Sequence, residues 1–126
     1  MKTRFTLLTG AALAAWLALP ALVLAQEPAM VKEGRLVDGQ GMTLYTYGKD
    51  SEGQSNCTQE CADIWPPLVA SEDATGSGDW SLVTRDDGTQ QWAYDGKPLY
   101  TYVKDTKPGD TTGDTLMGVW HVAKPK

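Results

Sequence analysis

The sequence predicts an all-β domain made of two related β-hairpin-rich units, packed as one small sandwich or open barrel with one short helical turn. Three observations carry this reading. "GMTLYTYGKD" (Gly41–Asp50) returns as "GKPLYTYVKD" (Gly96–Asp105). Short runs of β-branched and aromatic residues alternate with Asp-Gly turns, the pattern of hairpins. Only one segment, "SNCTQECADIWPPL", carries helix signals.

The repeat extends past the quoted decapeptide. The offset that lays Tyr45 on Tyr100 also lays Asp50 on Asp105 and Trp65 on Trp120, with no gap. Each unit, about 34–70 and 81–124, is too small to bury a core alone, so the two are expected to form one domain over residues 26–126. In the first unit "GRLV" runs through "DGQG" (Asp38–Gly41) into "MTLYTY" (Met42–Tyr47), a hairpin with a longer loop. The helical turn is placed at Cys57–Ile64, with Asn56 as cap, Gln59 three residues on, and Pro66 as the stop. It puts Cys57 and Cys61 on one face, close enough to bridge. "SEDATGSGDW" (Ser71–Trp80) reads as the loop between units. Strands follow at Ser81–Thr84, Gln90–Tyr94, Pro98–Val103 and Val119–Ala123, the first two joined by "RDDG" and the next by Asp95-Gly96.

The first residues belong to export rather than to the fold. Lys2 and Arg4 precede an apolar run from Phe5 to Ala25, and Val23-Leu24-Ala25 fits cleavage of a signal peptide (1–25) after Ala25. The run is also long enough to serve as an uncleaved anchor. Gln26 stands where a lipidated chain would carry Cys. The expectation is a periplasmic or secreted protein that meets the membrane only through its leader before cleavage. The formal net charge of −5 becomes −7 once Lys2 and Arg4 leave with that leader, which argues against nucleic acid as a partner. In an oxidising compartment, the only two cysteines are expected to form a disulfide.

At Tyr45-x4-Asp50, Tyr100-x4-Asp105, "C-x3-C…WPPL", "DGTQQWAYDGKPLYTY" and "PGDTTGD…GVWHVA", the chain resembles a bacterial secreted tandem-repeat family of predicted lipoproteins. That family carries a Y-x-[FWY]-x-x-D motif. The resemblance runs from about Gly34 to Ala123. It implies export and a repeated β-rich unit, and no established activity.

Candidate chemistry centres on the repeated residues. On a strand Tyr45 and Tyr47 share one face, and Tyr100 and Tyr102 repeat the arrangement. With Trp65, Trp92 and Trp120 they form either a core or an aromatic surface for a glycan or planar ligand. The core is favoured, because the only Phe lies in the leader and Trp, Tyr and Leu must supply the buried area. Asp50 and Asp105 suit turn backbone or a tyrosine hydroxyl. Asp105, Asp110 and Asp114 lack the spacing of a calcium loop. His121 is the only histidine, and no serine-nucleophile signature occurs. The C-x3-C pair is not the C-x-x-C of thiol oxidoreductases. These residues point to a non-enzymatic binding or interaction module of the cell envelope without a cofactor. Its partner would be an envelope protein or small ligand. The alternatives are a copper-handling protein using His121, Met42, Met117 and Met30, and a glycan-binding module.

Overall fold

The computed structural model describes residues 28–126, so the leader and its cleavage site lie outside the described residues. Among the described residues the regular elements are mostly strands: β1 (Met30–Lys32), β2 (Arg35–Val37), β3 (Tyr45–Tyr47), β4 (Val69–Ala70), β5 (Trp80–Thr84), β6 (Gln90–Tyr94), β7 (Lys97–Pro98) and β8 (Trp120–Val122). A helix α1 (Glu60–Ile64) and a 3₁₀ turn (Leu116–Gly118) complete them. Among the described residues the strands form three antiparallel sheets: β1–β2, β3–β8, and a larger one in which β6 pairs β5 on one side and β4 and β7 on the other. Among the described residues there is no closed barrel, and no helix is long and apolar enough to cross a membrane.

The repeats do not sit side by side; they exchange partners. β3 of the first unit pairs with β8 of the second, setting Tyr45 opposite Val122 and Tyr47 opposite Trp120. The matching segment of the second unit, 100–103, lies against the first unit's "IWPP". There Thr101 N–H donates to Pro66 O (2.9 Å) and Val103 N–H to Ile64 O (3.1 Å). At the centre, equivalent residues meet: Tyr45 N–H donates to Tyr100 O (2.8 Å) and Tyr100 N–H to Tyr45 O (3.0 Å). That reciprocal pair marks an approximate two-fold relation between the units.

Two expectations are corrected, and one strand was missed. The strand placed at Pro98–Val103 is cut back to Lys97–Pro98. Its partner segment holds Pro66 and Pro67, which have no N–H to donate, so a full ladder cannot form. The helix placed at Cys57–Ile64 spans only Glu60–Ile64, and no side chain caps it. Asn56 is drawn away instead: its N–H donates to Asp50 Oδ1 (2.6 Å) and its Nδ2 to Lys49 O (2.7 Å). Strand β1 was not expected. It is exposed throughout, so nothing in its sequence marks a core face. The Asp95-Gly96 turn behaves as read, with positive φ at both residues (54° and 81°) between β6 and β7.

Successive strand residues face opposite ways, so each Leu-Tyr copy feeds two core clusters. Leu44 and Leu99 enter one with Ala29, Leu36 and Ala123. Tyr45 and Tyr100 enter the other with Cys57, Trp65, Tyr102 and Trp120.

Candidate functional site

The second cluster gathers the repeated aromatic and acidic residues. Trp65 and Trp120 stack face to face, centroids 3.8 Å apart and planes 5° apart. Tyr102 covers the outer face of Trp65 (4.0 Å, 16°) and Tyr47 that of Trp120 (4.3 Å, 17°). The column therefore reads Tyr102–Trp65–Trp120–Tyr47. Tyr45 meets Trp65 edge-on (5.2 Å, 79°) and Tyr100 meets Trp120 edge-on (5.3 Å, 90°). Gly113 abuts the column: a Cβ there would lie 2.5 Å from Trp65 Cη2 and 3.0 Å from Tyr102 Cδ2, so a side chain would push on packed rings.

The acidic residues cross between units. Tyr45 Oη donates to Asp105 Oδ2 (2.7 Å) and Tyr100 Oη to Asp50 Oδ2 (2.7 Å). Asp105 also accepts from Thr112 N–H (2.9 Å), and Gly113 N–H donates to Tyr45 Oη (3.2 Å). Burial pushes both phenols well above the ordinary tyrosine value, and the neighbouring carboxylates add to it. Burial also raises the Asp50 carboxyl, against the lowering effect of the Asn56 and Tyr100 hydrogen bonds and the Arg85 charge.

Arg85 was missed by sequence reasoning, because "RDDG" reads as an exposed turn. It is only 8% exposed. Its Nη1 donates to Ser55 Oγ (3.0 Å) and Gln91 Oε1 (2.8 Å), and its Nη2 to Cys57 O (2.8 Å). Ser55 Oγ lies 2.7 Å from Tyr100 Oη. Since the phenol's one proton goes to Asp50, Ser55 is the donor, and the chain runs Arg85→Ser55→Tyr100→Asp50.

Cys57 and Cys61 form the expected disulfide, Cα atoms 5.1 Å apart, with Cys57 fully buried in the aromatic cluster. For so short a loop the chain-entropy model gives about 2 kcal/mol. A Cys57→Ala/Cys61→Ala variant is expected to melt roughly 10 °C lower by calorimetry. An unchanged melting temperature would show that the Arg85 grip on Cys57 O holds this turn without the bridge.

The metal candidates are not drawn into one site. His121 is exposed on β8 and lines a cleft with Asp50, Glu52 and Lys97 that includes none of the methionines. Met117 is 85% exposed and Met30 52%. Met42 lies in the β2–β3 loop. Asp110 accepts from Thr106 N–H and Lys107 Nζ, which hold its carboxyl below the usual range. Asp114 accepts from Val122 N–H (3.1 Å). Among the described residues, no group of three or more His, Cys, Asp or Glu could hold a metal ion.

A second feature lies outside the repeat motif. On β6 the usual alternation is inverted: Gln91 and Ala93 are buried, while Trp92 and Tyr94 are only half-buried. Gln91 goes inward because Arg85 donates to its Oε1 and its own Nε2 donates to Leu99 O (2.8 Å). Trp92 and Tyr94 join Trp80, which meets Trp92 edge-on at 6.1 Å and Tyr94 at 4.9 Å, and Trp80 and Tyr94 also pack against the Leu44–Leu99 cluster. Together the three aromatics line an open cleft of about 530 Å³, with Asp79, Ser77 and Thr75 as polar neighbours and Pro28 and Val31 as apolar ones. Of these aromatics, sequence reasoning had singled out only Trp92, and had grouped it with Trp65 and Trp120.

The family model described as a secreted repeat of unknown function matches residues 30–69 and again residues 81–124. The first match begins before Gly34 and takes in β1. No curated protein and no solved structure matches the chain.

Proposed function

This chain belongs to the family of secreted repeats of unknown function, and from that premise we propose that it is a non-enzymatic binding module of the cell envelope that holds a neutral glycan in the Trp80–Trp92–Tyr94 cleft. One observation carries the reading. The repeated tyrosines and tryptophans pack on one another in the core, whereas Trp80, Trp92 and Tyr94 stay half-buried and line an open cleft, with Trp80 and Tyr94 also packing against the Leu44–Leu99 cluster. The volume of the cleft lies within the ~300–1,000 Å³ of small-ligand sites.

The chemistry suits a sugar ring. The C–H face of a pyranose packs on an indole, while Asp79, Ser77 and Thr75 offer hydroxyl partners at the same cleft. The net charge of −5 disfavours anionic polymers. Titration of neutral α- and β-linked oligosaccharides, followed by tryptophan emission, is expected to show saturable binding for at least one series. Trp92→Ala is expected to bind about tenfold more weakly, the scale of one lost aromatic contact, measured in a variant that circular dichroism shows to be folded. Absence of saturable binding in every series, or an affinity equal to that of the parent protein in Trp92→Ala, would reject the reading.

A further inference from the structure

The ring column does more than fill space. Aromatic pairs favour offset or edge-on contacts with centroids roughly 4.5–7 Å apart, yet Trp65 and Trp120 overlap at 3.8 Å and 5°. One end of the column is open. Tyr47 is half-buried and lines the cleft of about 520 Å³ that also holds Asp50, Glu52, Asp95 and Lys97. Asp50 is the residue that takes the Tyr100 hydroxyl, at 2.7 Å. An outlet for electrons (Tyr47, stacked on Trp120) and an acceptor for a proton (Asp50, bonded to Tyr100, itself edge-on to Trp120) therefore open on one cleft.

We infer that Tyr47, Trp120 and Tyr100 form a one-electron relay, oxidised from this cleft by a cationic outer-sphere oxidant and storing the oxidising equivalent on Tyr100. Asp50, Glu52 and Asp95 outnumber the basic groups Lys97 and Lys126, the latter 3.8 Å from Asp95 Oδ1, and this surplus favours a cationic reactant. In the first step the oxidant gains one electron across Tyr47 and Trp120 becomes an indole radical cation. In the second, Trp120 regains an electron from Tyr100, whose phenolic proton passes to the Asp50 carboxylate. The products are a neutral indole, a phenoxyl radical and a carboxylic acid, which returns its proton to water in the cleft. A one-electron donor of the quinol class, with a proton, restores the phenol. The Arg85→Ser55 donor chain holds the Tyr100 oxygen in place throughout. Tyr45 lacks this outlet, because its acceptor Asp105 is buried and does not line the cleft.

The test uses full-length protein carrying Trp16→Phe, Trp80→Phe and Trp92→Phe, which leaves Trp65 and Trp120 as its indoles. Photogenerated ruthenium(III) tris-bipyridine serves as the cationic oxidant, and transient absorption follows the radicals. The indole radical is expected to give way to a phenoxyl radical. Tyr100→Phe is expected to abolish that phenoxyl and prolong the indole radical, whereas Tyr45→Phe leaves both signals unchanged. Asp50→Asn removes the proton acceptor while keeping a carbonyl for the Tyr100 hydroxyl, and is expected to suppress the phenoxyl too. Circular dichroism confirms that each variant is folded. The relay is overturned if phenoxyl forms equally in Tyr100→Phe, if Tyr45→Phe is the variant that loses it, or if Asp50→Asn leaves it intact. Should Tyr100→Phe fail to fold, the Asp50→Asn and Tyr45→Phe results decide alone.

Discussion

Replacing Trp120 with alanine is expected to destabilise the protein by about 3–5 kcal/mol, the range for removing a large aromatic from a core. Domains of this size are stable by only about 5–15 kcal/mol, so the change takes a large share of the total. The structural cause is specific. Trp120 is buried and touches Trp65 by its face, Tyr47 by the opposite face and the edge of Tyr100. Those neighbours come from both repeats, and none is a flexible chain end that could collapse into the space. Trp65→Ala is expected to cost a similar amount, since Tyr102 and Tyr45 stand to it as Tyr47 and Tyr100 stand to Trp120. The double variant should cost less than the sum, because the two rings share one contact. Urea unfolding of the two single variants and the double variant measures all three quantities. A Trp120→Ala cost below about 1 kcal/mol would place it with ordinary surface changes and remove the column from the core.

Much of this column could be foreseen residue by residue, and little of it as an arrangement. The shared offset of Tyr45, Asp50 and Trp65 with Tyr100, Asp105 and Trp120 announces duplication. It says nothing about whether equivalent residues touch. Contact depends on the exchange of strands between units, which is set by how two incomplete cores close on each other. The Asp-Gly turn was legible because its chemistry is local. The truncated second strand was legible only in retrospect, since Pro66 and Pro67 matter once they are known to face residues 100–103.

The outward cleft was hidden for a related reason. In "QQWAY" ordinary alternation would bury Trp92 and Tyr94 and expose Gln91. The structure buries Gln91 and leaves Trp92 and Tyr94 half-buried, because Gln91 satisfies its amide between Arg85 and Leu99 O. A buried glutamine needs partners at both ends of its amide, and one of them is an arginine that the sequence offers only as part of a turn. The sequence signal that was available is the density of aromatics at Trp80, Trp92 and Tyr94, beyond what the repeat motif uses.

Asp105→Ala is expected to be the costliest substitution among the acidic residues, at about 3 kcal/mol, and to exceed Asp50→Ala by about 1–2 kcal/mol. Asp105 is 6% exposed, and its loss leaves the Tyr45 hydroxyl and the Thr112 N–H without their acceptor inside the protein. Asp50 makes the equivalent bonds to Tyr100 and Asn56, but it borders a cleft, so water can replace the missing carboxylate. The pH dependence separates the sites further. Burial raises the Asp50 carboxyl in the folded state, so the folded chain holds that proton more tightly than the unfolded chain. The stability this contributes is present below the unfolded carboxyl value of about 3.9 and is lost as pH rises through the folded value. Asp50→Asn carries no such loss, so its deficit relative to the parent protein should shrink between acid and neutral pH. Calorimetry of both alanine variants and of Asp50→Asn across that interval measures the difference. Equal costs for the two alanine variants would mean that water reaches Asp105 as readily as Asp50. The two-fold relation between the repeats would then extend to their solvation as well as to their hydrogen bonds.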